Sequence, residues 1–129
     1  MLAHKRLADK PDAVAPDGTA VRLLNALAGG SFAHFELPAG ATSYAVAHRT
    51  VEEIWYFVAG AGEVWRKLGA EESVVAVAPG DSLTIPLGVH FQFRATGHGP
   101  LAFVAVTMPP WPGEQEAFRV DGPWLANVA

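Results

Sequence analysis

The chain of 129 residues reads as an all-β protein, a sandwich or barrel of many short strands. Three observations predict it. Gly and Pro interrupt the sequence roughly every ten residues, the spacing of turns between short strands. The pieces between them are rich in Val, Phe, Trp and Ala, and the first three of these pack well on a pleated, half-buried surface. Apolar residues at helical period with caps are hard to find, and only "GEQEAF" at 113–118 suits a short helical turn.

The opening stretch "MLAHKRLADKPD" carries early positive charge with no apolar run behind it, so it does not read as a secretory signal. The overlapping "DKPDAVAPDG" reads as a loose arm. Strands are expected at about 20–25 and 31–37, divided by Gly29 and Gly30, and then at 43–48 after the "PAG" turn of 38–40. The turn "AGAG" divides 53–58 from 62–67, "APGD" divides 73–77 from 83–86, and "GHGP" divides 90–95 from 101–107. The segment "MPPWPG" at 108–113 cannot join a central ladder, because its prolines lack N–H donors. It is expected over the outside or the mouth of a barrel, with Trp111 as its anchor. The whole forms one domain over 1–129, with an N-terminal arm of about 1–19 and a C-terminal tail of about 108–129.

Half of the residues are hydrophobic and 17% are charged, the balance of a folded chain. No apolar stretch approaches the roughly 18–20 residues that span a bilayer. A cytoplasmic protein without membrane contact is expected. The formal net charge is −4 and the basic residues form no patch, which argues against nucleic acid as a partner. The absence of cysteine excludes disulfides, thiolate metal sites and cysteine nucleophiles. Five histidines remain: His4, His34, His48, His90 and His98. His34, alternating with Phe32 and Glu36, reads as a surface imidazole beside Glu36, with a ligand role as the alternative.

The segment "HRTVEEIWYFVAG" at 48–60 concentrates polar groups beside aromatic ones. If 43–48 and 53–58 pair as an antiparallel hairpin, His48 faces Glu53, Val46 faces Trp55 and Tyr44 faces Phe57, all on one side of the sheet. The other side, Ala45, Ala47, Ile54, Tyr56 and Val58, is apolar as well, so both faces are expected to be covered. Glu52 then belongs to the solvent-facing turn, with Arg49 as its surface partner. A buried lone carboxylate costs several kcal/mol unless paired or neutralised. Glu53 beside Trp55 therefore needs His48 or a raised pKa, and the two could close a hairpin, hold a metal or act as acid and base.

At this point the chain resembles the cupin superfamily, and most closely its small single-domain bacterial type. The first cupin motif, G-x5-H-x-H-x3–4-E-x6-G, is matched by Gly40, His48, Glu53 and Gly60 at the required spacing. The second, G-x5-P-x-G-x2-H-x3-N, is matched by Gly80, Pro86 and Gly88. The resemblance implies a double-stranded β-helix of jelly-roll type. It also implies a homodimer, made by sheet-to-sheet contact and N-terminal strand exchange. Metal-binding cupins use two His and one Glu of the first motif and one His of the second. Here two of those positions are Val46 and Phe91, and the terminal Asn position is Ala95.

His90 lies one residue before the lost ligand position. At the family's spacing Val89, Phe91 and Phe93 face inward and His90, Gln92 and Arg94 face outward. If the turn is one residue shorter the parity inverts, and His90 joins His48 and Glu53 as a third metal ligand for Zn, Mn, Fe or Ni. The expected pocket is lined by Tyr44, Val46, Trp55, Phe57, Phe91 and Phe93, with His48 and Glu53 as its catalytic candidates. The expected function is binding of a small organic ligand, with at most a weakened divalent metal site. A metal-dependent isomerase, dioxygenase or lyase acting on a small acid or sugar stands as the alternative, and a structural or regulatory sensor as a third.

Overall fold

A computed structural model describes residues 2–128. Its strands are β1 (Ala13–Val14), β2 (Ala20–Leu27), β3 (Gly30–Leu37), β4 (Val46–His48), β5 (Glu52–Ala59), β6 (Gly62–Leu68), β7 (Glu71–Val77), β8 (Ser82–Ile85), β9 (His90–Ala95), β10 (Leu101–Met108) and β11 (Ala117–Arg119). A single 3-10 turn, Glu114–Glu116, precedes β11. Two antiparallel sheets result, ordered β1-β2-β3-β10-β5-β8 and β11-β4-β9-β6-β7. This is the all-β two-sheet architecture that the turn spacing predicts, and the jelly roll that the cupin resemblance implies. The nine expected strands are all present; β1 and β11, each three residues or fewer, carry too little pattern to read.

One pairing differs from expectation. β4 and β5 do not form a hairpin: they belong to different sheets. β4 bonds to β9 and β11, whereas β5 has β10 on one edge and β8 on the other, Trp55 lying opposite Ala105 and Leu83. Residues 49–51 cross between the sheets, with Val51 fully buried. Buried backbone donors there need partners, and the Glu116 carboxylate accepts from the amides of Thr50 (2.6 Å) and Val51 (3.1 Å). Arg49 bonds to the Gln115 carbonyl and lies 4.6 Å from the Phe118 ring centroid, in place of the expected contact with Glu52.

The inward parity nevertheless holds on β5, while all three residues of β4 are buried. Val46, His48, Glu53, Trp55 and Phe57 are buried, while Ile54, Tyr56 and Val58 are exposed. The interior is aromatic and closely filled: Trp55 stacks on Phe103 at 4.0 Å and meets Phe91 and Phe93 edge-on at 5.4 and 5.3 Å. Gly60 ends β5 with φ of 80°, and a Cβ there would lie 2.2 Å from the Pro100 carbonyl oxygen, so this motif position admits only glycine.

The outer faces are treated differently. On the second sheet the C-terminal tail lies over Gln92, whose amide donates to the Ser43 and Trp124 carbonyls and accepts from the Trp124 N–H. Arg94 pairs with Glu63 at 2.7 Å and stacks 4.1 Å from Trp124. On the first sheet, Phe32, Val106 and Ile54 form one cross-strand row and His34, Val104 and Tyr56 the next. Phe32, Ile54 and Tyr56 are exposed there. The arm is tied down where Arg22 donates to the Ala8 and Asp9 carbonyls.

Candidate functional site

The mouth of the barrel gathers polar groups from several elements. Glu53, near the start of β5, faces Thr107 across the ladder with β10. Its carboxylate is buried, and both oxygens accept hydrogen bonds, one from the Trp55 indole at 3.0 Å and the other from the Thr107 hydroxyl at 2.5 Å. These bonds do what His48 was expected to do: they satisfy a carboxylate taken out of water. His48, the last residue of β4, is 6% exposed, and its Nδ1 is buried with no partner. Its ring meets Phe91 edge-on at 5.2 Å and Trp111 at 5.5 Å. Trp111 is held over the mouth by its N–H bond to the Ser31 hydroxyl, 2.9 Å.

Asp17 completes the group and was not read from the sequence. The stretch taken as a loose arm closes a turn at residues 15–19, where Asp17 Oδ1 accepts from the Thr19 amide (3.0 Å) and hydroxyl (2.6 Å). Burial pushes the Asp17 carboxyl above its usual range; the Thr19 bonds oppose this, the Glu53 charge adds to it and His48 opposes it. Asp17, Glu53 and His48 therefore share one electrostatic field. The available signal was "PDGT", an Asp two residues before a Thr, which is the pattern of a self-bonded turn.

His90 does not join them. The Pro86–Val89 turn closes through the bond from the Val89 amide to the Pro86 carbonyl, and Gly88 takes φ of 85°. Phe91 then points inward, 1% exposed, and His90 lies opposite Lys67 on the other parity. The outward alternative is the one adopted, because Phe91 and Phe93 are wanted by the aromatic core. Val46, Trp55, Phe57, Phe91 and Phe93 face the interior but fill it by packing on one another. Tyr44 sits at the rim, with the Arg119 guanidinium 3.5 Å from its ring centroid. His34 is buried in the outer face of the first sheet, not on the open surface, and its Nδ1 has no partner.

A three-ligand metal centre does not fit these residues. Val46 and Phe91 offer no donor atom, both Glu53 oxygens are engaged, and among the described residues no three His, Asp or Glu side chains cluster as a metal would require.

Arg49, Thr50 and Pro112–Glu116 line an open crevice of about 390 Å³. It lies over the crossover that joins His48 to Glu53.

Among solved structures the chain is similar to a protein with a double-stranded β-helix domain from Klebsiella pneumoniae (TM-score 0.67, 16% identity, covering 84% of this chain and 89% of that one). It is also similar to the capsular polysaccharide assembling protein CapF of Staphylococcus aureus (TM-score 0.68, 13% identity, 84% and 33%). A third is Bacillus subtilis oxalate decarboxylase, a protein with Mn(II) centres (TM-score 0.69, 18% identity, 81% and 29%). The chain spans about a third of the latter two, and at these identities the likeness is one of fold. No curated protein matches the sequence. The cupin-domain family model matches residues 33–107, more than half of the chain, and with both motifs on the strands and turns that the fold requires, the protein belongs to the cupin family.

Proposed function

We propose that this cupin domain binds a small organic ligand at the barrel mouth and does so without a resident metal. The supporting observation is the buried, unpartnered Nδ1 of His48, whose ring meets Trp111 edge-on; the next two residues, Arg49 and Thr50, line a crevice within the size range of small-molecule sites. A buried imidazole nitrogen without a partner is costly, and a ligand donor or acceptor that meets it on binding would recover that cost. The ligand contacts His48 and the crevice wall, and Trp111 closes over it. Glu53 and Asp17 set the field in which it sits. A small acid or sugar that offers an oxygen to the imidazole suits this site.

The alternative assigns a weak divalent metal (Zn, Mn, Fe or Ni) to His48 and Glu53, with an isomerase, dioxygenase or lyase reaction. Metal analysis of protein purified without chelator separates the two. We expect well under one equivalent of metal, and stabilisation of the protein by at least one member of a panel of small acids and sugars. That stabilisation should be lost in His48→Phe. One equivalent of metal that disappears in both His48→Ala and Glu53→Gln would establish the alternative.

The partner we assign is a second copy of the chain, seated on the outer face of the first sheet. The chain's own tail covers the corresponding face of the other sheet and leaves Phe32, Ile54, Tyr56 and Val58 exposed on this one. Arg22 and Glu36, which border the face, already pair with each other at 3.8 Å, and a self-complementary patch of this kind suits a two-fold contact.

A further inference from the structure

We propose that a second site, a cleft at the seam between the two sheets, binds a small oxyanion, a carboxylate or a phosphate, anchored by Arg66. The cleft holds about 130 Å³ and is lined by Arg66, Lys67, Glu71, Ser73, Thr84 and Val89, among others. It opens where β8, the edge of one sheet, meets β6 and β7 of the other. Arg66 shares the inward parity of Val64, with Ser73 opposite it on β7 and Phe91 opposite it on β9. Phe91 therefore stands between this cleft and Val46 of β4, and separates it from the group at the mouth.

The argument rests on what Arg66 lacks. Its Nη1 donates to the Thr84 carbonyl at 2.9 Å and staples the two sheets across the seam. Its Nε is buried and has no partner. The ion pairs among the described residues are Arg22–Glu36 and Arg94–Glu63, and the guanidinium groups that lie on aromatic rings are those of Arg49, Arg94 and Arg119. Arg66 has neither kind of partner. With Nη1 occupied, the Nε and Nη2 edge remains; Nε is closed to solvent here, so the oxyanion draws this edge toward the cleft, where its flat fork matches two oxygens of one carboxylate or phosphate. Ser73 supplies a hydroxyl on the facing strand. Two cations and one carboxylate, Arg66, Lys67 and Glu71, leave the cleft an excess of positive charge suited to a monoanion.

The arginine Nε–H signals in ¹H–¹⁵N spectra read this site directly. Acetate and inorganic phosphate are titrated in separate arms, and the arm that saturates names the oxyanion. The expected result is a saturable shift of the Arg66 Nε–H together with the Ser73 and Thr84 amides. Arg66→Lys, which keeps the charge but loses the fork, should bind about tenfold more weakly. Ser73→Asp places a carboxylate opposite Arg66, so it should abolish the titration while the rest of the spectrum stays folded, and it decides the matter even if Arg66→Lys does not fold. An Arg66 signal that neither anion moves, a drift shared with other surface amides, or wild-type titration by Ser73→Asp would overturn the proposal. The mouth is read by His48 signals, so its success or failure is separate.

Discussion

Asp17 shows how a single buried group can be held against its own preference. Its carboxyl is pushed above the ordinary value of 3.8, burial being the largest cause. The folded state therefore holds the proton more tightly than the unfolded chain, and stability falls as pH rises from that value through the folded pKa. Asp17→Asn keeps an oxygen for the two Thr19 donors and removes the charge. We expect it to raise the melting temperature at pH 7 by about 3 °C, with a smaller gain at pH 4, as thermal melts at both values will measure. If Asp17 serves the ligand, the same variant should bind it more weakly, the usual opposition between stability and function at a site. Equal melting shifts at both pH values would remove the electrostatic account.

At the scale of elements, the segment from Trp111 to β11 works as a strap fastened at both ends. Trp111 is held by Ser31, and Glu116 is held by the crossover between β4 and β5. Burial alone would raise the Glu116 pKa, but hydrogen bonds from Thr50, Val51 and Arg49 outweigh it and lower the pKa below the usual 4.5. For a carboxylate lowered on folding, the stabilisation is complete above pH 4.5 and is lost as pH falls through the folded pKa. Glu116→Gln should cost about 1–3 kcal/mol at pH 7, because an amide cannot accept from the Thr50 amide, the Thr50 hydroxyl and the Val51 amide together. It should also flatten the decline below pH 4.5. Urea midpoints from pH 7 to pH 3 test both, and an unchanged acid slope would remove Glu116 from the fastening. Neither partner of this bond was legible from local sequence, since Thr50 and Glu116 lie far apart in the chain and meet only where the sheets do.

For the whole molecule the decisive feature is the asymmetry between the two outer faces, one bearing Glu63, Gln92 and Arg94 and the other an apolar row of Phe32, Val106 and Ile54. One receives the tail; the other carries Ile54 and Tyr56 into solvent. If a second copy covers it, Ile54→Asp together with Tyr56→Lys should convert a dimer to a monomer in light scattering without disturbing the strand signal in circular dichroism. His34 lies in that face, with its pKa lowered below 6.5 by burial first and then by Arg22, while Glu36 opposes the shift. The folded form resists the proton, so stability declines as pH falls below 6.5 toward the folded pKa. A wild-type chain that is monomeric at neutral pH would refute the assignment.

The strands, their turns and the inward parity were legible along the chain, because alternation on a pleated strand and the glycine of a tight turn are local properties. The motif spacing likewise carried the family, and Val46 and Phe91 announced in the sequence itself that two ligand positions had become apolar. Which strands became neighbours was settled only in three dimensions. β4 and β5 follow one another yet enter different sheets, so the bonds on Glu53 came from Trp55 and Thr107, and His48 was left without a partner. Parity belongs to one strand, whereas pairing belongs to the competition among all strands for the same edges, and that competition is resolved only when the barrel closes.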